Sequence, residues 1–350
     1  MSPKVYRRPT NQGQNTKSKT SFTGGETQNQ NIRTTMFFRS ARSLRSYASL
    51  VPGTAPSKYG GKSLEAALRH CVELVRERDP EFFKWATVAL GTKEDRAPVL
   101  VLKALQIEIE SIQQAARTET LLRMRYQWWR DSITKAFSSR KSYEMAQPVM
   151  KAFSELVQSY DTISDTRVHA MLDAYELDAM RGDAFFPSLE DLEKHARDTV
   201  GALVALQMEA CGVDRDVVEG VAPALGTGVG MTSALRRSLG LLSEYGISYL
   251  PEDVCRRHGV QPDNFFDGSD KREELRGVVG EIAETARSHL ENASSAGAQR
   301  STGSRGKAFV LQGLASTLYL DGLRRNRWDL LTAGGVSPVG HLLRLKWNTL

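Results

Sequence analysis

From Ser63 onward apolar residues recur at three- and four-residue spacings, the pattern of helices that each bury one face. Leu64, Ala67, Leu68, Cys71, Leu74 and Val75 form the first such face, with Ser63 placed as its N-cap and Asp79-Pro80 as its stop. A short helix with Phe82, Phe83 and Trp85 follows and ends at Gly91. The next runs from Arg96 to Ala116, and Thr118 is placed to cap a long one, ETLLRMRYQWWRDSITKAF. Further helices are expected from Val149 to Ser159, Asp165 to Arg181 and Leu189 to Cys211, the last opened by Pro187-Ser188 with Asp191 in capping-box position. A glycine-rich helical stretch from Leu225 to Asp253 comes next, broken at Pro251, then a short helix from Glu252 to His258 and long ones from Lys271 to Ala293 and Lys307 to Arg325. The polar run from Asn292 to Gly306 reads as a flexible loop. No alternation of period two persists, and no internal repeat is visible, so residues 61–350 read as a single all-α helical domain.

Composition changes this picture only at the N-terminus. The chain is 40% hydrophobic and 25% charged, ordinary for a globular protein, with a net charge of +6. Residues 1–60 hold ten basic residues and one acid, Glu26, leaving 37 basic and 40 acidic residues for the rest. The helical part is therefore not basic, and nucleic acid is not its expected partner. Residues 1–35, rich in Asn, Gln, Thr, Ser and Lys, read as a disordered polar extension. Met36 opens a different segment, MFFRSARSLRSYASLV, with Arg39, Arg42 and Arg45 among apolar residues and no acid between Glu26 and Glu65. An Arg- and Ser-rich, acid-free amphipathic stretch reads as a mitochondrial targeting segment with its linker, residues 36–60. Arg45-Ser46-Tyr47 resembles the pattern cut by the matrix processing peptidase, with cleavage after Tyr47. On that reading Met36 is a start of its own and residues 1–35 an upstream extension; a plain basic tail is the other reading.

Motifs for chemistry are scarce. No apolar run reaches the roughly 18 residues of a spanning helix. Cys71, Cys211 and Cys255 stand far apart without a CxxC, as buried small hydrophobes do. Asp161 and Asp165 form a DxxxD at a helix junction, where capping explains them. Gly226, Gly228 and Gly230 follow no strand and fit no GxGxxG register. His169 and Asp173, four apart, read as a surface pair. Arg123, Arg125, Tyr126, Trp128, Trp129 and Arg130 could stack and pair with nucleic acid but read as packing between helices, whereas Arg324, Arg325, Arg327 and Trp328, with Lys346 and Trp347, near the C-terminus, are less easily dismissed as such a patch.

The stretch LGTGVGMTSALRRSLGLLSEYGISYLPED, Leu225 to Asp253, resembles the second signature of the squalene/phytoene synthase family, in which a glycine- and alanine-rich helix runs into Leu-Arg, an aspartate pair and Tyr-Leu-Pro. Leu235-Arg236 and Tyr249-Leu250-Pro251 match; Arg237 and Leu241 stand where the aspartates belong, with one extra residue before the Tyr-Leu-Pro. The first aspartate signature aligns with Val101 to Ala115 and places Glu110, Ser111 and Gln114 at its acidic positions. Glu108 and Glu110 lie two apart and do not share a helix face. The Trp128-Trp129-Arg130-Asp131 block, the stretch Leu172 to Val213, YLPEDVCRRHGV and LYLDGLRRNRWDLL extend the likeness from Ser63 to Trp347, and resemble most the divergent mitochondrial branch whose members assemble respiratory complex I.

The resemblance implies a trans-isoprenyl diphosphate synthase (terpenoid synthase) fold. In active members the aspartates hold Mg²⁺ against a diphosphate; arginine cannot ligate a metal, so the resemblance with these substitutions implies a pseudoenzyme without metal or cofactor. It implies a mitochondrial assembly factor on the matrix face of the inner membrane, with complex I subunits or assembly factors as partners. It further implies peripheral membrane contact, an old prenyl cavity that is packed or lipid-sized, and Arg236, Tyr249 and Asp253 at a pocket or partner surface. Two readings stand beside it: an enzyme that still binds or condenses prenyl diphosphates, and a scaffold for another particle such as the mitoribosome, the one route to nucleic acid.

Overall fold

The computed structural model describes residues 61–115, 118–138, 145–182, 185–261, 271–299, 303–330 and 337–349, all within one compact unit, Tyr47–Leu350. The polar extension, the targeting segment and Tyr47 lie outside the described residues. Helices α1 (Gly61–Arg78), α2 (Pro80–Ala89), α3 (Lys93–Ala115), α4 (Glu119–Ser138), α5 (Pro148–Ser159) and α6 (Asp165–Ala179) come first. Helix α7 (Leu189–Ala196) passes through a π-turn, Arg197–Gly201, into α8 (Ala202–Ala210), and the 31-residue α9 (Arg215–Tyr245) follows. Then come α10 (Glu252–Arg257), α11 (Arg272–Gln299), α12 (Gly303–Val310), a 3-10 turn Leu311–Gly313, α13 (Leu314–Arg325) and α14 (Pro338–Thr349). Among the described residues the only β contact is an isolated bridge between Phe186 and Pro251, so the protein is all-α.

Local chemistry sets most boundaries. Asp79 accepts from the Phe82 amide at 3.0 Å ahead of Pro80, a proline at N1. Ser188 caps α7, its hydroxyl accepting from the Asp191 amide at 3.0 Å and donating to the Asp191 carboxylate at 2.6 Å, so the expected box forms only in its first half. Helix α9 begins ten residues ahead of Leu225, capped by Asp214, and ends not at Pro251 but at Gly246, whose φ of +71° closes the helix in the left-handed region. The first helix starts at Gly61, ahead of Ser63, whose hydroxyl instead accepts from Lys151.

Helix α9 is the axis of the bundle and packs against α11, α7, the π-turn and α8. Its glycines make that closeness feasible. A Cβ on Gly226 would fall 2.1 Å from Gly201 Cα in the π-turn, and one on Gly230 2.8 Å from Ala196 Cβ; on the opposite side a Cβ on Gly228 would fall 2.7 Å from Leu290 of α11. Around this axis α1 packs on α3 and α5, α4 on α5 and α6, and α14 on α2.

The expected loop from Asn292 to Gly306 is mostly helix. Helix α11 runs on to Gln299 and α12 begins at Gly303, because the small residues that give the run its polar look include a buried face, Ala293 and Gly297, the latter against Val310. Helix α14 was not expected; its short pattern of His341, Leu342 and Leu345 is a weak periodic signal, although Pro338 opens it. His169 pairs with Asp165 at 3.2 Å rather than with Asp173, which Arg130 binds from α4. The aromatic block divides by helical phase: Tyr126 and Trp129 are buried, whereas Trp128 is 46% exposed.

Candidate functional site

A cavity of about 310 Å³ opens between α2, α3, α7, the π-turn, α9 and the start of α13. Its lining includes the apolar Phe82, Ile107, Val200, Leu203 and Val229 and the charged Arg78, Asp79, Glu81, Lys103, Glu110, Arg236 and Arg237. Helix α3 presents Lys103, Gln106, Glu110 and Gln114 at three- and four-residue steps, so they share the face that looks into the cavity. Helix α9 brings Arg236 and Arg237 from the other wall.

Six of these seven charges form three pairs. Arg237 binds Glu110, Arg236 holds Glu81 through two contacts at 2.7 and 3.2 Å, and Lys103 meets Asp79 at 2.9 Å. The second oxygen of Glu110 accepts from the Gln106 amide at 2.8 Å, and the same amide group donates to the Tyr175 hydroxyl at 2.6 Å. Burial works against ionisation of Glu110, but Arg237 and Lys103 outweigh it and hold the carboxyl below its ordinary range. Asp79 is likewise opposed by burial and held low by Lys103. Burial lowers the guanidinium pKa of Arg237, yet Glu110 more than offsets that and raises it.

Behind Arg237 lies an aromatic wall. Its guanidinium sits 5.3 Å from the Tyr249 ring centre; Tyr249 stacks on Phe186 at 5.5 Å and on His195 at 5.9 Å, and Phe186 and His195 meet tilted at 5.4 Å. The Tyr249 hydroxyl donates to buried Asp178 at 2.8 Å, which also pairs with Arg181. Tyr249-Leu250-Pro251 is pinned by backbone bonds, from the Phe186 amide to the Leu250 carbonyl and from the Glu252 amide to the Phe186 carbonyl. Burial lowers the His195 pKa, so the ring at the cavity wall is neutral.

The fold thus gathers Glu110, Ser111, Gln114, Arg236 and Arg237 around one cavity. Leu241 is not among its lining residues and packs against the hydrophobic core. Tyr249 is buried one layer behind, and Asp253 accepts from the Leu189 amide at 3.0 Å, tying α10 to the start of α7. Arg78, Asp79, Glu81, Lys103, Gln106, His195 and Gln312 also line it and were missed, because their common destination is set by packing between distant helices. The Gln106–Glu110 step of four was the one legible sign.

The arrangement is that of a terpenoid synthase fold. A dehydrosqualene synthase superposes with a TM-score of 0.68 at 15% identity, covering 82% of this chain and 96% of the other. The squalene synthase HpnC from Alicyclobacillus acidocaldarius does so at 0.63 and 14%, covering 77% and 97%. The squalene/phytoene synthase profile matches residues 75–348, and the chain belongs to that family. Among similar relatives is the Bos taurus protein named NADH dehydrogenase (ubiquinone) complex I, assembly factor 6, 26% identical over 290 residues that span 83% of this chain and 84% of the relative. The Homo sapiens protein of the same name is 25% identical, covering 73% and 74%.

The resemblance implies a Mg²⁺ site, which can be tested on the donors present. Mg²⁺ takes carboxylate and water oxygens in near-octahedral array. Each of the three carboxylates lining this cavity faces a cation of the chain instead, and among the described residues no group of three or more His, Cys, Asp or Glu is placed to hold a metal. The donor set does not fit the ion.

Proposed function

We propose that the chain is a non-catalytic member of its family that works as an assembly factor for respiratory complex I in mitochondria. The observation that carries the non-catalytic part is the one-to-one pairing of Asp79, Glu81 and Glu110 with Lys103, Arg236 and Arg237. With Arg237 at a position where the family resemblance expects an acid, a cation occupies the space a metal would need. Glu110, Ser111, Gln114, Arg237 and Leu241 are thus taken as degenerate metal-motif positions, with Arg236 beside them. The assembly role is supported by likeness along most of both chains to relatives that carry that function in their name.

The work of assembly then falls to the outer surface. Leu121, Met124 and Trp128 lie at steps of three and four along α4, all exposed, and α6, held to α4 by the Arg130–Glu176 pair at 2.8 Å, adds exposed Leu177. Arg123 and Arg125 flank the stripe. No described helix is long and apolar enough to cross a membrane, and a position on the matrix face of the inner membrane through such a surface is part of the proposal.

Affinity purification of a tagged chain from mitochondria, with mass spectrometry of what remains bound in moderate salt, tests the role. Complex I subunits or assembly factors are the expected catch. Recovery of mitoribosomal proteins instead would replace complex I with the ribosome as the particle served.

A further inference from the structure

Helix α13 ends on a cap that its residues make costly. The Trp328 amide donates to the Leu323 carbonyl at 2.8 Å and the Arg327 amide to the Arg324 carbonyl at 3.1 Å, the paired bonds that close a helix through a left-handed residue, usually glycine. Here that residue is Arg327, with φ of +54°, and Trp328 follows at +62°. Side chains in this region crowd their own backbone, so such a turn persists only where its surroundings hold it. Helix α11 does so. Trp328 lies against Gly280, where a Cβ would fall 3.1 Å from the indole, and buried Asp329 takes Arg272 at 2.6 Å and Arg276 at 3.1 Å.

What the clamped turn presents is a set of exposed arginines, Arg324, Arg325 and Arg327. Among the described residues neither Arg324 nor Arg327 makes an ion pair or a side-chain hydrogen bond, and Arg325 reaches only back to the Asp321 carbonyl at 3.1 Å. The acids between Gly303 and Leu350 are Asp321 and Asp329, and α11 occupies both, the first through Arg287 at 2.9 Å. The helix dipole favours cations in a last turn, which accounts for Arg324 and Arg325. It does not account for Arg327, which stands past the end, where glycine would cost less. Guanidinium forks held on a fixed turn match carboxylates. A bilayer would ask for an apolar side chain at the surface, whereas the large apolar side chain of this turn, Trp328, packs inward on the core. RNA would meet a net negative molecule beyond the turn, since residues 61–350 hold 37 basic and 40 acidic residues. We propose that the turn carrying Arg324, Arg325 and Arg327 is a docking site for an acidic segment of a partner protein, a short run of aspartates or glutamates. This rests on the reading that the chain works by holding a protein partner.

Fluorescence anisotropy of a labelled oligoglutamate peptide, titrated with the purified full chain, tests this. The parent should bind, and more weakly as salt is raised. Arg324→Gln with Arg325→Gln and Arg327→Gly should bind about tenfold more weakly, the loss of several exposed charge pairs. An equal change of charge at exposed arginines elsewhere, Arg69→Gln with Arg76→Gln and Arg256→Gln, should leave the affinity within about twofold. Arg327→Gly alone should weaken binding without lowering the melting temperature, because glycine suits the left-handed position. Vesicles of phosphatidylcholine with cardiolipin, and an oligouridine RNA, should show no difference between the parent and the turn variant. Failure of the peptide to bind, an equal loss in the two triple variants, or vesicles or RNA bound more tightly than the peptide through the same turn overturns the proposal. None of these results bears on the complex I role, which the affinity purification decides.

Discussion

Arg237 and Glu110 stand on helices α9 and α3 and pair across the cavity that both line. Both side chains are half-buried, so the pair belongs between exposed pairs, worth under about 1 kcal/mol, and buried ones, which cost about 3–5 kcal/mol when one partner is removed. Arg237→Met should therefore destabilise the fold by about 2 kcal/mol, and adding Glu110→Gln should recover most of that, because no carboxylate is then left unpaired. Urea unfolding of the two singles and the double measures the coupling. The pH dependence follows from the same groups. Burial opposes ionisation of Glu110 and Asp79, and the neighbouring cations overcome it, so both folded pKa values lie below the unfolded ones. Their stabilisation is complete above the unfolded values of about 4 and is lost as pH falls through the folded values. His195, kept neutral by burial, adds a loss that begins as pH drops below about 6.5, since the unfolded chain takes up that proton first. Urea midpoints should thus decline toward acid, and Glu110→Gln should decline less than the parent below about pH 4. Burial also pushes the thiols of Cys71, Cys211 and Cys255 up to about 12, so an aromatic disulfide reagent should label none of them before the chain unfolds. At this scale the sequence exposed Arg237 as the wrong charge for a metal, but not that Glu110 would be its partner. That pairing spans 127 residues and is made by helix packing.

At the scale of elements, the glycines of α9 carry the strongest prediction. Gly226→Ala would drive a methyl into the Gly201 backbone, which cannot swing aside as a side chain can, and should cost about 3 kcal/mol, the upper range of overpacking. Gly240→Ala, where a Cβ meets nothing within 4 Å, should instead be neutral or stabilising through helix propensity. Comparing the two melting temperatures separates close approach from a general effect of glycine. The glycine spacing in Leu225–Asp253 already announced a crowded helix, and capping residues such as Ser188 and Asp79 announced where helices begin. The π-turn Arg197–Gly201 had no such sign, because it exists to fit α7 and α8 against α9. The run from Asn292 to Gly306 misled for a related reason: serine, alanine and glycine look like loop by composition, yet their small size lets Ala293 and Gly297 be buried.

At the scale of the molecule, a synthase scaffold has a cavity whose three carboxylates are each paired with a cation of the chain and a surface with an unpartnered apolar stripe. If that stripe meets the partner, Met124→Glu with Trp128→Glu should reduce recovery of complex I proteins in the affinity purification by tenfold or so while lowering the melting temperature by only a few degrees, since both side chains are exposed and Trp128 meets buried Trp129 edge-on at 5.1 Å. The all-α class and the family were legible because periodicity and the Tyr-Leu-Pro signature survive. The cavity and the stripe were not, since both depend on which helical faces meet. The most direct measurement is the amount of assembled complex I, on native gels, in cells whose only copy of the chain carries Glu110→Gln with Arg237→Met. A chain that acts through its surface, with no metal-dependent step at the cavity, predicts complex I at the normal level. Loss of complex I while the variant accumulates in folded form would contradict that account and return the charged pair to the centre of the function.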